Sequence, residues 1–121
     1  MKPRRFAKGR RVRGRAPAGT RMNGTEAEYE ALFLGNRVHG FEELTFRLGD
    51  DCRYTPDFWT MGDDDVLELH EVKGHWEDAA KVKIRVAAER YPNFRFMAFR
   101  RLTKKQGGGW EREHFGAEDV T

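Results

Sequence analysis

The stretch RYTPDFWTMGDDDVLELHEVKG, residues 53–74, decides the reading of this chain. Arg53 to Trp59 has the apolar, β-branched and aromatic content of a strand, and it reads as the returning arm of a hairpin. Gly62-Asp63-Asp64-Asp65 supplies a turn, Val66 to Lys73 a further strand, and Gly74 breaks it. Side chains alternate along a strand, so Glu71 and Lys73 share a face while Val72 turns into the core. Asp57 on the neighbouring strand meets them if the register is right. Two carboxylates and a backbone carbonyl, that of Val72, would form a hard, all-oxygen site suited to Mg²⁺ or Mn²⁺. A lysine one side-chain repeat away can orient a water or stabilise charge on a phosphate.

The flanks complete an alternating pattern of helices and strands. Upstream, Thr25 with Glu28 and Asn23 with Glu26 both match a capping box. A helix follows through Tyr29, Phe33 and Leu34, and Gly35-Asn36 is its stop. Phe41 to Leu48 reads as the first hairpin strand, where Phe46 and Leu48 alternate with Thr45 and Arg47; Gly49-Asp50-Asp51 is the turn. Downstream, a helix runs from Trp76 or Glu77 to Arg90. Trp76, Ala80, Ile84, Ala87 and Tyr91 form its apolar stripe, with Ala79, Val82 and Val86 widening it. Pro92-Asn93 ends the helix and Phe94 to Leu102 returns as a strand. After the glycine-rich turn Lys104 to Gly109, Trp110 to Phe115 is a short closing strand. The expected fold is α/β, a mixed sheet flanked by helices in the order α-β-β-β-α-β.

At 121 residues with 38% hydrophobic content, the chain suits one domain, placed at 22–121. No apolar run approaches the roughly 20 residues of a membrane span. The single Cys52 cannot form an internal disulfide, which points to a reducing cytoplasm and away from a stapled secreted scaffold. The net charge of +3 conceals a split. Nine of the 23 basic residues lie in residues 1–21, where there is no acid; that leaves 14 basic against 20 acidic residues from Met22 onward. The segment carrying Arg4, Arg5, Lys8, Arg10, Arg11, Arg13 and Arg15 reads as a disordered basic arm that tethers nucleic-acid phosphates.

Taken together, Asn23-Gly24-Thr25-Glu26, Tyr54-Thr55-Pro56-Asp57-Phe58, Glu71-Val72-Lys73-Gly74 and Gly107-Gly108-Gly109-Trp110 resemble the PD-(D/E)xK nuclease superfamily. The likeness is to a small phage- and prophage-borne branch and covers about residues 22–115. The resemblance implies a restriction-endonuclease-like core in which Asp57 and Glu71 bind the metal and Lys73 assists the attacking water. It also implies that Glu26 completes the acidic site, with Glu30, one turn later, competing for that place. The implied activity is Mg²⁺- or Mn²⁺-dependent hydrolysis of DNA phosphodiesters in recombination, repair or processing. For a phage protein the compartment would be the bacterial host cytoplasm. DNA is the expected partner, without a membrane, and a double-strand cut by one site per chain calls for a homodimer.

The other reading keeps the fold without turnover, as a nucleic-acid-binding or DNA-packaging-associated phage protein. Among the remaining polar residues, His75 is a candidate contact to a phosphate or a metal-bound water. Lys83 lies inside the apolar arc of the second helix, so it either snorkels to the surface or points into the cleft toward phosphate. His70 alternates with Glu71 and therefore faces away from the site, in a structural role. Asp63, Asp64 and Asp65 lack the spaced ligands of a calcium loop and read as a solvated turn.

Overall fold

The computed structural model describes residues 22–75 and 78–116. The basic arm and the helix start at Trp76 or Glu77 lie outside the described residues. Asn23 caps the first helix, α1 (Gly24–Tyr29), through the capping box with Glu26: its side chain accepts the Glu26 N–H at 2.8 Å and its own N–H donates to Glu26 Oε1 at 2.9 Å. The helix continues as a π turn, Glu30–Leu34, to the stop at Gly35. Seven strands follow: β1 (His39–Phe41), β2 (Phe46–Gly49), β3 (Cys52–Tyr54), β4 (Phe58–Met61), β5 (Leu67–Lys73), β6 (Arg95–Arg101) and β7 (Trp110–Phe115). Helix α2 (Asp78–Arg90) joins β5 to β6, and a 3₁₀ turn (Lys104–Gln106) precedes β7.

The sheet has the order β1-β4-β5-β6-β7, while β2 and β3 form a separate ribbon. Only β5 and β6 run parallel, as a strand pair needing a helical crossover must; the other pairs are antiparallel. Among the described residues the chain is therefore mixed α/β with two α-helices, as expected, but the strand count between the helices differs. Three strands were expected there and five short ones occur. Phe41 pairs with Phe58 and Phe46 with Tyr54, so both arms are interrupted between these pairs and the register shifts by one residue, with residues 42–45 on one arm facing 55–57 on the other. Pro56 has no N–H to give a ladder. Glu42 opposite takes φ 51°, and its N–H donates to the Asp57 carbonyl at 2.8 Å. The interruption bends the ribbon out of the sheet and sets Asp57 at the start of β4.

Alternation along the strands divides the core into two layers. Leu69, Phe96, Ala98 and Phe115 face α2, packing with Ile84, Ala87, Ala88 and the ribbon's Phe46, Leu48 and Tyr54. Phe58, Val72, Met97 and Phe99 face α1, packing with Tyr29 and Leu34. The apolar stripe of α2 is narrower than the sequence suggests. Ile84 is fully buried, but Val82 and Val86 are 54% and 37% exposed. Each lies two residues from Ile84, about 200° around the helix at 100° per residue, so neither can share its face. Ala88, at about 40°, is buried instead.

The turn into β7 is a place where glycine is required. Gly107, Gly108 and Gly109 take φ of 105°, 70° and 78° in succession, a left-handed run that side chains disfavour. Leu102 N–H reaches the Gly109 carbonyl at 2.8 Å and closes the turn, bringing Trp110 back beside Arg101.

Candidate metal centre

Phe58 pairs with His70, so Asp57 lies just beyond the end of the β4–β5 ladder, level with Glu71. Its Oδ2 accepts the Val72 N–H at 2.8 Å. What the structure shows of Val72 at the site is this N–H, with its side chain buried on the α1 side as the alternation required. Glu71 is buried and both its oxygens have partners. Tyr54 donates its hydroxyl to Oε1 at 2.7 Å, and Lys73 Nζ stands 3.1 Å from Oε2. Lys73 is half-buried on the same face.

Glu26 arrives from the first turn of α1. One of its oxygens serves the cap on Asn23, and the carboxylate also lies beside Asp57 and Glu42, the three offering oxygens within 4.8 Å of one another. Glu30 goes elsewhere, meeting His39 Nε2 at 2.9 Å. A four-residue step would place both on one face of an ordinary helix; here the π turn begins at Glu30, and His39, which also bonds the Arg37 carbonyl at 2.8 Å, takes its carboxylate.

Glu42 was not foreseen. The signal available was the pair Glu42-Glu43, which breaks the two-residue alternation expected between Phe41 and Leu48. The backbone kink separates the two acids: Glu43 accepts a hydrogen bond from Trp59 Nε1 at 2.8 Å, and Glu42 joins the cluster. Tyr54, quoted above only as part of a motif, emerges as the group that holds Glu71.

The electrostatics follow from burial. Asp57 is pushed up to about 8 by burial first and by the charge of Glu71 next; the Val72 N–H opposes this and Glu26 adds to it. Burial would lower Lys73, but Glu71, Asp57 and Glu26 outweigh it and hold the ammonium charged. Tyr54 is raised by burial and then by Glu71, which keeps it a donor. The cluster thus holds more negative potential than Lys73 neutralises. Its donors are all oxygen, as a hard cation requires. An octahedral ion with oxygens at about 2.1 Å sets neighbouring ligands about 3.0 Å and opposite ones about 4.2 Å apart, so the three carboxylates would draw together around it. The donor set fits Mg²⁺ or Mn²⁺.

Of the remaining candidates, His75 is exposed just past Gly74, and the seven arm residues lie outside the described residues. His70 is buried on the α1 face between the Tyr29 hydroxyl (2.7 Å) and Glu68 (2.9 Å). In the acidic turn, Asp64 pairs with Arg95 at 2.6 Å. Lys83 is exposed and donates to the Arg53 carbonyl at 3.1 Å, bridging α2 to the ribbon at the residue before Tyr54. Lys83→Ala is expected to lower stability by about 0.5–1.5 kcal/mol, the net value of one such bond, and to leave any turnover unchanged. Thermal melts beside a nicking assay check this; a fall in kcat at unchanged melting temperature would assign the ammonium to substrate.

No family model, curated protein or solved structure matches this chain.

Proposed function

We propose that this protein is a metal-dependent DNA endonuclease with a restriction-endonuclease-like core. The observation that carries the reading is the convergence of Glu26, Glu42 and Asp57, with oxygens within 4.8 Å of one another, beside the buried Glu71 and its partner Lys73. A stable fold has little use for such a group. Neighbouring carboxylates repel one another, and Asp57, the most buried of the three, also loses hydration, which costs free energy unless a cation compensates it.

Asp57, Glu26 and Glu42 would hold the ion, with Glu71 beside them. A divalent cation there supplies positive charge against the scissile phosphate and acidifies an attacking water. The protein's own groups do the rest. Tyr54 and Lys73 fix the Glu71 carboxylate from two sides, so it needs no reorganisation during reaction. Lys73, charged and half-buried, is placed to orient a water or to stabilise the phosphate as its charge grows. Asp57 gives up its proton when a cation binds at neutral pH. The acidic body repels DNA, and the nine basic residues of 1–21 supply the compensating attraction.

A plasmid nicking assay with Mg²⁺, with Mn²⁺ and with EDTA tests the reading. Nicking is expected with either ion and not with the chelator. Lys73→Ala is expected to keep Mn²⁺ binding and to slow cleavage about 10²-fold or more, the scale of losing a charge-stabilising group. A protein that binds DNA and Mn²⁺ but leaves plasmid intact would be the binding-only form of the fold. A normal kcat in the lysine variant would return Lys73 to a structural ion pair.

A further inference from the structure

The opposite face of β5 holds a second feature of different chemistry. Tyr29, Phe33, Phe99 and Trp110 wall a cavity of about 440 Å³ in which Arg37 and Arg112 also take part. The Trp110 ring lies 5.5 Å from Tyr29 and 6.0 Å from Phe33, and Tyr29 lies 4.8 Å from Phe99. Phe33 is 45% exposed, so its ring is open to a ligand. Arg112 is exposed, and among the described residues it makes no hydrogen bond or ion pair. Arg37 binds the Met61 carbonyl at 2.6 Å. The fields of both arginines reach the buried Tyr29 and His70.

Three carboxylates also line the cavity, and two are neutralised. Glu68 is bonded by Arg95 at 2.7 Å and by His70 at 2.9 Å, and Glu111 by Arg100 at 2.7 Å. Asp63 stands on the exposed turn. The volume lies within the range of small-ligand sites, about 300–1,000 Å³. A ligand that fills it must offer a flat apolar face to the rings and an anion to the arginines.

We infer that this cavity takes one unpaired nucleotide, its base against Trp110 and Phe33 and its phosphate at Arg112, with Arg37 adding positive field. Aromatic faces accept any base, and an arginine beside them suits the attached phosphate. Arg37 also stands 3.7 Å from Glu68 Oε1, so Arg112 is the arginine that an apolar peptide would leave without a role. A base in a duplex has both faces stacked, so the occupant must come from a single strand, a flap or a gap. The inference rests on the nuclease reading only in assigning the nucleotide to a DNA strand, which would make the substrate DNA with unpaired residues.

The test is an NMR titration of ¹⁵N-labelled full-length protein in EDTA, following the Trp110 indole N–H and the arginine side chains. Binding is thereby read without cleavage, and plasmid, flapped and single-stranded DNA that all stay intact with Mg²⁺ would sink the nuclease reading without touching this one. With dAMP as probe, the Trp110 indole and Arg112 signals are expected to move saturably. Deoxyadenosine should bind about tenfold or more weakly. Inorganic phosphate alone should leave the indole in place. Trp110→Ala should weaken dAMP by about 5–150-fold, the range for loss of one base–aromatic stack. Arg112→Gln, at an exposed position, should erase the advantage of dAMP over deoxyadenosine. A single-stranded tetranucleotide should move the same signals, and a blunt duplex should not. The inference is overturned if dAMP leaves Trp110 unmoved, if Arg112→Gln keeps the full phosphate preference, or if duplex moves the indole as far as single strand does.

Discussion

Asp57→Asn is expected to abolish cleavage and yet to make the cation-free protein more stable at pH 8. The two effects have one cause. Burial and the charge of Glu71 hold the Asp57 carboxyl up to about 8, far above the ordinary 3.8 that it regains on unfolding. A group raised in this way contributes stability that is fully present below about pH 4 and is lost as the pH rises through about 8. Over that window the unfolded chain releases the proton and the folded one retains it. Asparagine keeps the shape and an acceptor for the Val72 N–H without the charge, so the variant's melting temperature in EDTA should exceed the wild type's increasingly toward pH 8. With Mn²⁺ present the order should reverse, since the wild type gains binding free energy that the variant largely forgoes. Mn²⁺ affinity of the wild type should fall about tenfold for each pH unit below about 8, because one proton must leave. Melts from pH 4 to 9 with and without Mn²⁺, beside the nicking assay, check all three. Cleavage retained by the variant would remove Asp57 from the chemistry. A stability difference independent of pH would mean that the buried carboxyl is already ionised.

Deleting residues 1–21 is expected to cost most of the DNA affinity and little of the turnover. The deletion removes nine positive charges and takes the formal net charge from +3 to −6. If three to six phosphates are engaged, the slope of log K against log salt should fall by roughly three to five. Near physiological salt this corresponds to a loss of about 10² or more in affinity. The carboxylate cluster lies wholly between Glu26 and Lys73, so cleavage at saturating DNA should persist. Anisotropy titrations across a salt series decide the matter. An unchanged slope would place the phosphate contacts on the body of the protein and give the basic segment a different partner.

How much of this was legible beforehand depends on how far apart the interacting residues lie. A capping box within residues 23–28, the turn after Met61, the alternation of Glu71, Val72 and Lys73, and the break at Gly107–Gly109 are settled within a few residues by backbone geometry. Each could be read from sequence. The pairing of Asp57 with Glu71 was legible at one remove, because two strands joined by a short turn have few registers that keep Phe58 and Leu69 buried.

The tertiary structure decided the rest. Glu26 and Glu30 are equivalent on an ideal helix; the π turn and His39, nine residues further on, separated them. Glu42 entered the cluster because Pro56, on the other arm of the hairpin, interrupts the ladder. Tyr54 reaches Glu71 across 17 residues and Lys83 reaches the Arg53 carbonyl across 30. Val82 and Val86 were misplaced because hydrophobicity alone says that a residue prefers burial, while the angle around the helix says whether a neighbour is there to bury it. The sequence by itself determined the helical and strand-forming segments, their order and most of the carboxylates available for chemistry, since propensity, capping and alternation act between near neighbours. Which oxygens converge, and which arginine is left at an aromatic cavity on the other face, depended on contacts between distant segments. Those contacts form only where packing has set the register of one element against another.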